Sequence, residues 1–313
     1  MHYIYRVPAV LATERISTKN FLKSLGLSTS RFKSVKHSGT FCVNGASAVA
    51  AQTMLKPGDV VSWDLPTPNH SFIAEDLPLD VLFEDEYFLI VNKPPAMLVH
   101  PVRQEQTGTV ANAVLGYYRR TNGEGGFHPV HRIDRNTSGA LLMAKTAEGQ
   151  HLLSTCATKK KVLREYFAVA RQLPAVSGND SFCVNGVSGT ECGFVVNAPI
   201  ARIEGVRHGV DFVCGKQACT HGEVLRKTVD GYRLLRLNLD TGRTHQIRVH
   251  MAYIGMPLAG DELYGGDMSM AFRQMLHSAK IMFTHPFYGE NICVTAPWPQ
   301  DFADVLHKTG LKK

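Results

Sequence analysis

The amino-acid sequence predicts an α+β protein with two domains, and three observations support this. Strand-like apolar runs are interspersed with longer helix-like stretches, without a regular strand–helix repeat. A proline-rich polar segment at residues 66–70 divides the chain, because proline interrupts helices and central strands. Residues 1–65 carry eight basic and three acidic side chains, a net charge of +5, whereas all 313 residues carry only +7.

The basic front segment is predicted to contain two short helices followed by small strands. A first helix is expected to begin at Ser17 or Thr18, and a second to follow residues 28–30. An Asn44-Gly45 turn predicts a hairpin, and residues 56–59 predict a turn into a last strand. The charge excess indicates a polyanion-binding module, although a solvated basic face would give the same count.

The chain beyond the proline-rich segment is predicted to form one larger domain. Its glycines do not form the strand-linked Gly-x-Gly-x-x-Gly pattern of a dinucleotide fold. Residues 246–250 alternate polar and apolar side chains, which predicts a strand with Arg248 on the same face as Gln246 and His250. Residues 176–193, rich in Gly, Ser and Asn, predict a surface loop. Further strands are predicted at residues 88–92, 140–144, 166–170, 232–239 and 292–295, and helices at residues 110–119 and 147–159.

Composition limits the class of protein. With 44% hydrophobic residues and no apolar run near the roughly 18 residues that cross a bilayer, a membrane protein is not expected. The first residues lack the basic and apolar regions of a signal peptide, which predicts a cytoplasmic protein. The seven cysteines are odd in number and never spaced as Cys-x-x-Cys, which predicts reduced thiols rather than disulfides or a zinc ribbon.

Asp134 is the strongest candidate for a reacting group. It lies between Arg132 and Arg135, on a turn that leads into an apolar strand. Because arginine stays protonated and a nearby positive charge favours an ionised carboxyl group, we expect an aspartate anion, which can act as a nucleophile. A turn anchored by salt bridges would show the same short pattern, so the longer sequence has to distinguish the two.

Residues 131–139 read His-Arg-Ile-Asp-Arg-Asn-Thr-Ser-Gly. This string resembles the signature of the RluA-type RNA pseudouridine synthases, His-Arg-Leu-Asp-x-x-Thr-Ser-Gly followed by an apolar run. The main departure is Asn136, where the family more often has a second Asp. Four further blocks resemble the family in the expected order, at residues 88–101, 164–166, 242–265 and 276–286.

The resemblance implies an enzyme that isomerises uridine in RNA to pseudouridine without a cofactor. It also implies a bent, largely antiparallel sheet with flanking helices. By the same resemblance Asp134 is the catalytic residue, Tyr166 the active-site tyrosine, and Arg248 the cation that holds the carboxylate. Arg132 would fill the space left by the extruded uridine. Whether Asp134 attacks the ribose or the base, or removes the C2′ proton, stays open.

Residues 14–64 resemble an S4-type RNA-binding domain, which leaves residues 65–76 as a linker and residues 77–313 as the catalytic domain. The expected partner is structured RNA, with large-subunit ribosomal RNA favoured over transfer RNA, and the protein is expected to be a monomer. The basic side chains of the front segment are expected to contact RNA phosphates, and they are Arg15, Lys19, Lys23, Arg31, Lys33 and Lys36.

Two alternatives compete with this interpretation. A non-catalytic RNA-binding or ribosome assembly factor could retain the fold, but such a protein predicts a decayed site, whereas Asp134, Tyr166 and Arg248 are all present. A metal site is the second alternative, since His128, His131 and Asp134 have the spacing His-x-x-His-x-x-Asp. Pro129 argues against a continuous helix through them, and the family uses no metal, so none is expected.

Overall fold

Two sheets, each with its own hydrophobic core, organise the computed structural model. The structure describes residues 2–7, 15–25, 27, 29–64, 72–158, 162–173, 184–190 and 192–312. The predicted linker falls largely outside these ranges, since residues 65–71 are not described. No helix of the described ranges is both long enough and apolar enough to cross a membrane.

Among the described residues the front sheet has four strands in the order β1, β6, β3, β4, where β1 is His2–Arg6, β3 Cys42–Val43, β4 Ala46–Ser47 and β6 Val60–Asp64. Asn44 and Gly45 both have positive φ, as the predicted hairpin turn requires. Strand β1 pairs with β6 along its whole length, so the front sheet begins before residue 14, the predicted domain start. Local sequence patterns did not predict this strand, because β1 is short and separated from its partner by more than fifty residues.

The two predicted front helices are present. Helix α1 is Thr18–Ser24, and the side chain of Ser17 caps it by accepting a hydrogen bond from the Asn20 backbone N–H at 3.3 Å. Helix α2 is Thr29–Ser38. A small pair of strands, β2 (Ile16–Ser17) and β5 (Met54–Leu55), joins the start of α1 to the end of the segment.

The larger sheet has eleven strands in the described residues and is largely antiparallel, as expected. One parallel pair, β10 with β18, lies at its centre. The strands are β7 (Val81–Glu84), β8 (Phe88–Lys93), β9 (His128–Pro129), β10 (Ser138–Ala144), β11 (Val162–Arg171), β12 (Val187–Gly189), β13 (Gly193–Asn197), β16 (Cys219–Lys227), β17 (Tyr232–Leu239), β18 (Leu276–Thr284) and β19 (Asn291–Thr295). A separate hairpin is formed by β14 (Ile200–Glu204) and β15 (Arg207–Val210).

In the part of the chain that the structure describes, four helices pack beside this sheet: α3 (Val110–Thr121), α4 (Ala147–Thr158), α5 (Gln246–Tyr253) and α6 (Gln300–Lys308). The start of α3 is fixed by a capping box between Thr109 and Asn112, a feature worth about 1 kcal/mol. A short 3-10 turn, Glu262–Tyr264, follows α5. The predicted positions of α3, α4 and the five strands of the larger domain are confirmed.

Two sequence predictions for the larger domain are wrong. Residues 246–250 lie in helix α5, not in a strand. The signal for a helix was present further on, since Ile247, Met251 and Ile254 follow helical spacing and all enter the core. Residues 176–183 and 191 of the predicted loop lie outside the described residues, but its described part includes strand β12, which pairs with β13, so this part is not a loop throughout.

The front unit and the larger domain are in contact. The ring of Tyr5, on β1, lies 5.8 Å from that of Phe287, and the Tyr3 hydroxyl donates to Glu148 Oε2 at 3.4 Å. Because two side chains of β1 contact residues of the larger domain, the front unit packs on that domain and is not joined to it only by the linker.

Candidate active site

Asp134 lies on the loop between a buried Ile133 and strand β10, at the centre of the larger sheet. The Thr137 backbone N–H donates to the Asp134 carbonyl at 3.0 Å, which closes a tight turn. The Asp134 side chain is 26% exposed, so its carboxylate can be reached from solvent. Glycine is required at position 139, where φ is +107° and a Cβ would lie 2.2 Å from the Ser278 carbonyl oxygen.

The cation beside Asp134 is Arg248, which comes from α5. Its Nη1 donates to Asp134 Oδ2 at 3.3 Å. The two arginines next to Asp134 in sequence have other environments, because Arg135 pairs with Glu105 at 2.5 Å and Arg132 is exposed. The arginine that hydrogen-bonds to the Asp134 carboxylate is thus Arg248, the residue to which the resemblance assigned this role, and not one of the two flanking arginines.

Arg248 is fixed from its other side by Asp261. Its Nε and Nη2 donate to the two carboxylate oxygens of Asp261, each at 2.8 Å, and the guanidinium lies 4.9 Å from the centre of the Tyr264 ring. Burial lowers the pKa of Arg248, but Asp261 and Asp134 raise it more, so the net pKa is raised. Arg248 is thus a permanently charged, rigidly held donor to Asp134.

Tyr264 extends this network. Its hydroxyl is 2.9 Å from Nδ1 of His245 and accepts the His208 backbone N–H at 3.1 Å. Burial lowers the pKa of His245, which favours the neutral imidazole near the site. Sequence reasoning did not single out Asp261, Tyr264 or His245, although all three lie in the family-like block at residues 242–265.

The backbone of the Asp134 loop is held by two cations from distant strands and loops. Lys93 Nζ donates to the Arg135 carbonyl at 2.8 Å and to those of Pro94 and Met97 at 2.6 and 2.9 Å. Burial, together with nearby Arg273, lowers the pKa of Lys93 to about 7. The three carbonyl acceptors have the opposite effect, because only the protonated ammonium group has three N–H donors to give them. Arg273 donates to the carbonyl of Asn136 at 2.8 Å. The turn that presents Asp134 is therefore fixed on both sides.

Tyr166 lies on β11, as predicted, and is only 3% exposed. Burial raises the pKa of its hydroxyl, Arg164 lowers it and the charge of Asp134 raises it, so the net pKa is raised. Tyr166 packs in the same core cluster as Ile133 and Ile247. Tyr166 is therefore part of the core that contains the neighbours of Asp134 and Arg248 in sequence, and it is not an open stacking surface.

His131 has a structural role. It is buried, and its Nε2 accepts the Leu142 backbone N–H at 3.1 Å. Burial lowers its pKa to about 3, so the ring stays neutral. With Nε2 already used as an acceptor, His131 stabilises the second half of β10, where Leu142 lies.

The basic side chains proposed for phosphate contact in the front unit are exposed where the structure describes them. Lys19 and Lys23 are one helical turn apart on α1, and Lys33 and Lys36 lie on one side of α2. Arg15 is also exposed, whereas the side chain of Arg31 lies outside the described atoms of α2.

Most of the chain is similar to known proteins. Residues 87–253 match the family model described as RNA pseudouridylate synthase. YlyB of Bacillus subtilis (strain 168), described as an uncharacterized RNA pseudouridine synthase, is 40% identical over 274 residues, 86% of this chain and 85% of that protein. Ribosomal large subunit pseudouridine synthase D of Salmonella typhimurium is 37% identical over 250 residues, 75% of this chain and 72% of that enzyme.

Among solved structures, human RNA pseudouridylate synthase domain containing 4 superposes with a TM-score of 0.56. It is 20% identical, and the match covers 74% of this chain and 93% of that chain. At this identity the likeness is one of fold.

Proposed function

This chain belongs to the RNA pseudouridylate synthase family, and we propose that it isomerises uridines in a structured RNA with Asp134 as the reacting group. The observation that carries the assignment is the contact of Asp134 Oδ2 with Arg248 Nη1, at 3.3 Å. It combines a partly exposed carboxylate with a buried arginine that is already fixed by Asp261. This is the arrangement expected of an anion that must be held in one orientation and still meet a substrate.

The reaction needs no external group. The N1–C1′ bond of uridine breaks, the uracil turns while bound, and a C5–C1′ bond forms. The C5 proton is released and N1 gains a proton, so the substrate and product have the same composition. Asp134 would react with the nucleoside, while Arg248 holds one carboxylate oxygen and leaves the other for the substrate.

Tyr166 and Arg132 would handle the base. A uridine within a folded RNA has to leave its stack to reach Asp134, and the exposed Arg132, two residues away, can occupy the vacated space. Tyr166, in the core cluster that also contains Ile133 and Ile247, would contact the bound uracil. Neither role requires a metal or cofactor.

We infer that large-subunit ribosomal RNA is the substrate, supported by the 37% identity to the ribosomal large subunit enzyme of Salmonella typhimurium. The basic front unit would add affinity through phosphate contacts without selecting a sequence. On this proposal the protein acts as a monomer in the cytoplasm. A transfer RNA substrate is the alternative, and mapping pseudouridines in both RNA classes from cells lacking the protein distinguishes the two.

Replacing Asp134 by Asn tests the chemical assignment. Asp134→Asn keeps the shape of the side chain but removes the reacting anion, so we expect pseudouridine formation to be abolished with RNA affinity nearly unchanged. Activity is followed as tritium released from 5-tritiated uridine in RNA, which reports loss of the C5 proton.

Asn136→Asp is the matched control. It adds a carboxylate in the same loop without changing the Asn136 backbone carbonyl that Arg273 binds, and it should remain active. Activity of Asp134→Asn within a few-fold of the parent enzyme would rule out Asp134 as the reacting group.

A further inference from the structure

Three side chains with metal-binding atoms converge at the end of the β16–β17 hairpin, outside the Asp134 site. They are Cys219, His221 and Asp240, and their sulfur, nitrogen and oxygen atoms all lie within 4.8 Å of one another. The Sγ of Cys219 is 3.7 Å from Nε2 of His221, and Oδ2 of Asp240 is 3.0 Å from the same nitrogen. We propose that this cluster is a binding site for Zn²⁺.

Strand geometry brings the three together. Cys219 and His221 are two residues apart on β16, so they share a face, while Thr220 between them points into the core. Asp240 directly follows β17, and its backbone N–H donates to the Cys219 carbonyl at 3.2 Å. The side chains are therefore placed by sheet pairing and not by chance contact of mobile surface groups.

The distances suit a tetrahedral ion. Zn²⁺ binds thiolate sulfur at about 2.3 Å and imidazole nitrogen or carboxylate oxygen at about 2.0 to 2.2 Å, which places neighbouring ligand atoms about 3.3 to 3.8 Å apart. The sulfur–nitrogen distance of 3.7 Å lies in this interval, and the nitrogen–oxygen distance of 3.0 Å needs a small rotation. A thiolate, an imidazole and a carboxylate together favour Zn²⁺ over Mg²⁺ or Ca²⁺, which prefer oxygen ligands.

A simple His221–Asp240 ion pair explains the cluster less well. Nε2 has one proton or one lone pair, so it cannot bond fully to both a carboxylate and a thiol. Both groups nevertheless approach this one nitrogen. A cation between the three atoms would bond to all of them at once, and the partial exposure of His221 gives an ion access from solvent.

A bound ion would also stabilise the connection between β17 and α5. The Cys219 backbone N–H donates to Thr241 Oγ1 at 3.0 Å, and Gln246 Nε2, at the start of α5, donates to the Cys219 carbonyl at 2.9 Å. A bound ion would cross-link β16 to the residue at which the loop toward α5 begins. Its expected role is structural.

Zinc binding by the full-length, reduced protein tests the proposal independently of activity. After removal of metal with a chelator, we expect one Zn²⁺ per chain in competition with a chromogenic chelator. Cobalt(II) should occupy the same site and give a thiolate-to-cobalt charge-transfer band. Cys219→Ser should abolish that band and weaken zinc binding at least about 10-fold, since mutating even residues that only orient a ligand costs about 10- to 100-fold.

Two variants complete the experiment. Asp240→Asn should weaken zinc binding but keep the charge-transfer band, because the thiolate remains, and it reports on the site even if Cys219→Ser folds poorly. Cys214→Ser removes an exposed cysteine outside the cluster and should match the parent. Absence of stoichiometric binding, a band that survives Cys219→Ser, or affinity unchanged in Asp240→Asn would each overturn the proposal.

Discussion

Arg248 is shared by two carboxylates that differ in burial. Asp261 has a side chain only 1% exposed and binds Arg248 through two hydrogen bonds, whereas Asp134 is 26% exposed and accepts a single, longer one. The buried, bidentate pair is the stronger interaction and sets the position of the guanidinium. The weaker contact then orients Asp134 while leaving it accessible to a substrate.

Asp261→Asn should therefore lower turnover without removing the reacting group. The amide oxygen can accept only one of the two Arg248 hydrogen bonds, and the amide NH2 group would face the second Arg248 N–H, which is also a donor. Because Arg248 would then hold Asp134 less firmly, we expect kcat to fall at least about 10-fold. Leaving Arg248 without its buried partner should also lower the free energy of unfolding by about 3 kcal/mol. Single-turnover rates and urea unfolding measure the two effects.

Asp267→Asn is the control for a general loss of stability. Asp267 lies near Asp261 in sequence but pairs with Arg171 and Tyr232 instead. We expect Asp267→Asn to lower stability with little change in kcat. If Asp261→Asn and Asp267→Asn lower kcat equally, Asp261 does not act through Arg248.

At the scale of elements, helix α5 and the β10–β18 pair bring the site together. Strand β18 lies parallel to β10 at Gly139, directly after the Asp134 loop. Helix α5 is tied to the sheet by His250, whose ring is 2.8 Å from Thr220 Oγ1 and 2.9 Å from the Ala198 carbonyl. Both contacts are made by a neutral imidazole that donates to the carbonyl and accepts from the hydroxyl.

The neutral state of His250 predicts a pH dependence of stability. Burial lowers its pKa from the usual 6.5 to about 4. The unfolded chain thus binds a proton at higher pH than the folded chain, so stability is full above pH 6.5 and is lost as the pH falls toward 4. Between pH 6.5 and 5 the loss from this one residue is on the order of 2 kcal/mol.

Urea unfolding of His250→Gln at several pH values measures this contribution. The variant should be less stable than the parent at pH 7.5, but its stability should fall less between pH 6.5 and 5. His307→Gln, which replaces an exposed histidine on α6, should keep the pH dependence of the parent. An unchanged slope in His250→Gln would mean that His250 is not neutral in the folded protein.

At the scale of the whole molecule, most of the net charge lies in a unit that contains none of the proposed catalytic residues. The exposed lysines of α1 and α2 form the basic surface of this unit. The unit also packs through Tyr5 on Phe287 of the larger domain. Deleting it would therefore disturb the larger domain as well, and neutralising charges is the cleaner experiment.

Replacing Lys19 and Lys23 by Gln in the full chain should weaken RNA binding and flatten its salt dependence. If both side chains contact phosphates, the slope of log binding constant against log salt should fall in magnitude by about 1.4 to 1.8. The single-turnover rate at saturating protein should stay unchanged. Gln at Lys308 and Lys312, two exposed lysines at the other end of the chain, removes the same charge and should leave the slope unaltered.

Equal slopes in the two double variants would mean that α1 is not an RNA-binding surface. A lowered single-turnover rate in the α1 variant would mean instead that this surface positions the substrate for the reaction as well as binding it.

Local sequence was sufficient for much of this protein. The family-like strings identified the family, and hydrophobic periodicity placed α3, α4 and the five predicted strands, because helix and strand patterns depend on residues a few positions apart. Capping and turn residues likewise placed α1 and the Asn44-Gly45 hairpin. Helix α5 was mispredicted because a five-residue window of alternating side chains fits a strand as well as a helix.

The contacts that build the sites came only from the tertiary structure. Arg248 meets Asp134 across 114 positions, Lys93 holds the carbonyl of Arg135 across 42, and Asp240 meets His221 across 19. Each contact depends on which strands pair and in which register, and a one-residue shift in register would turn a side chain to the opposite face. Residue type could nominate Asp134 and Arg248, but strand pairing and helix packing had to bring their charged atoms within hydrogen-bonding distance.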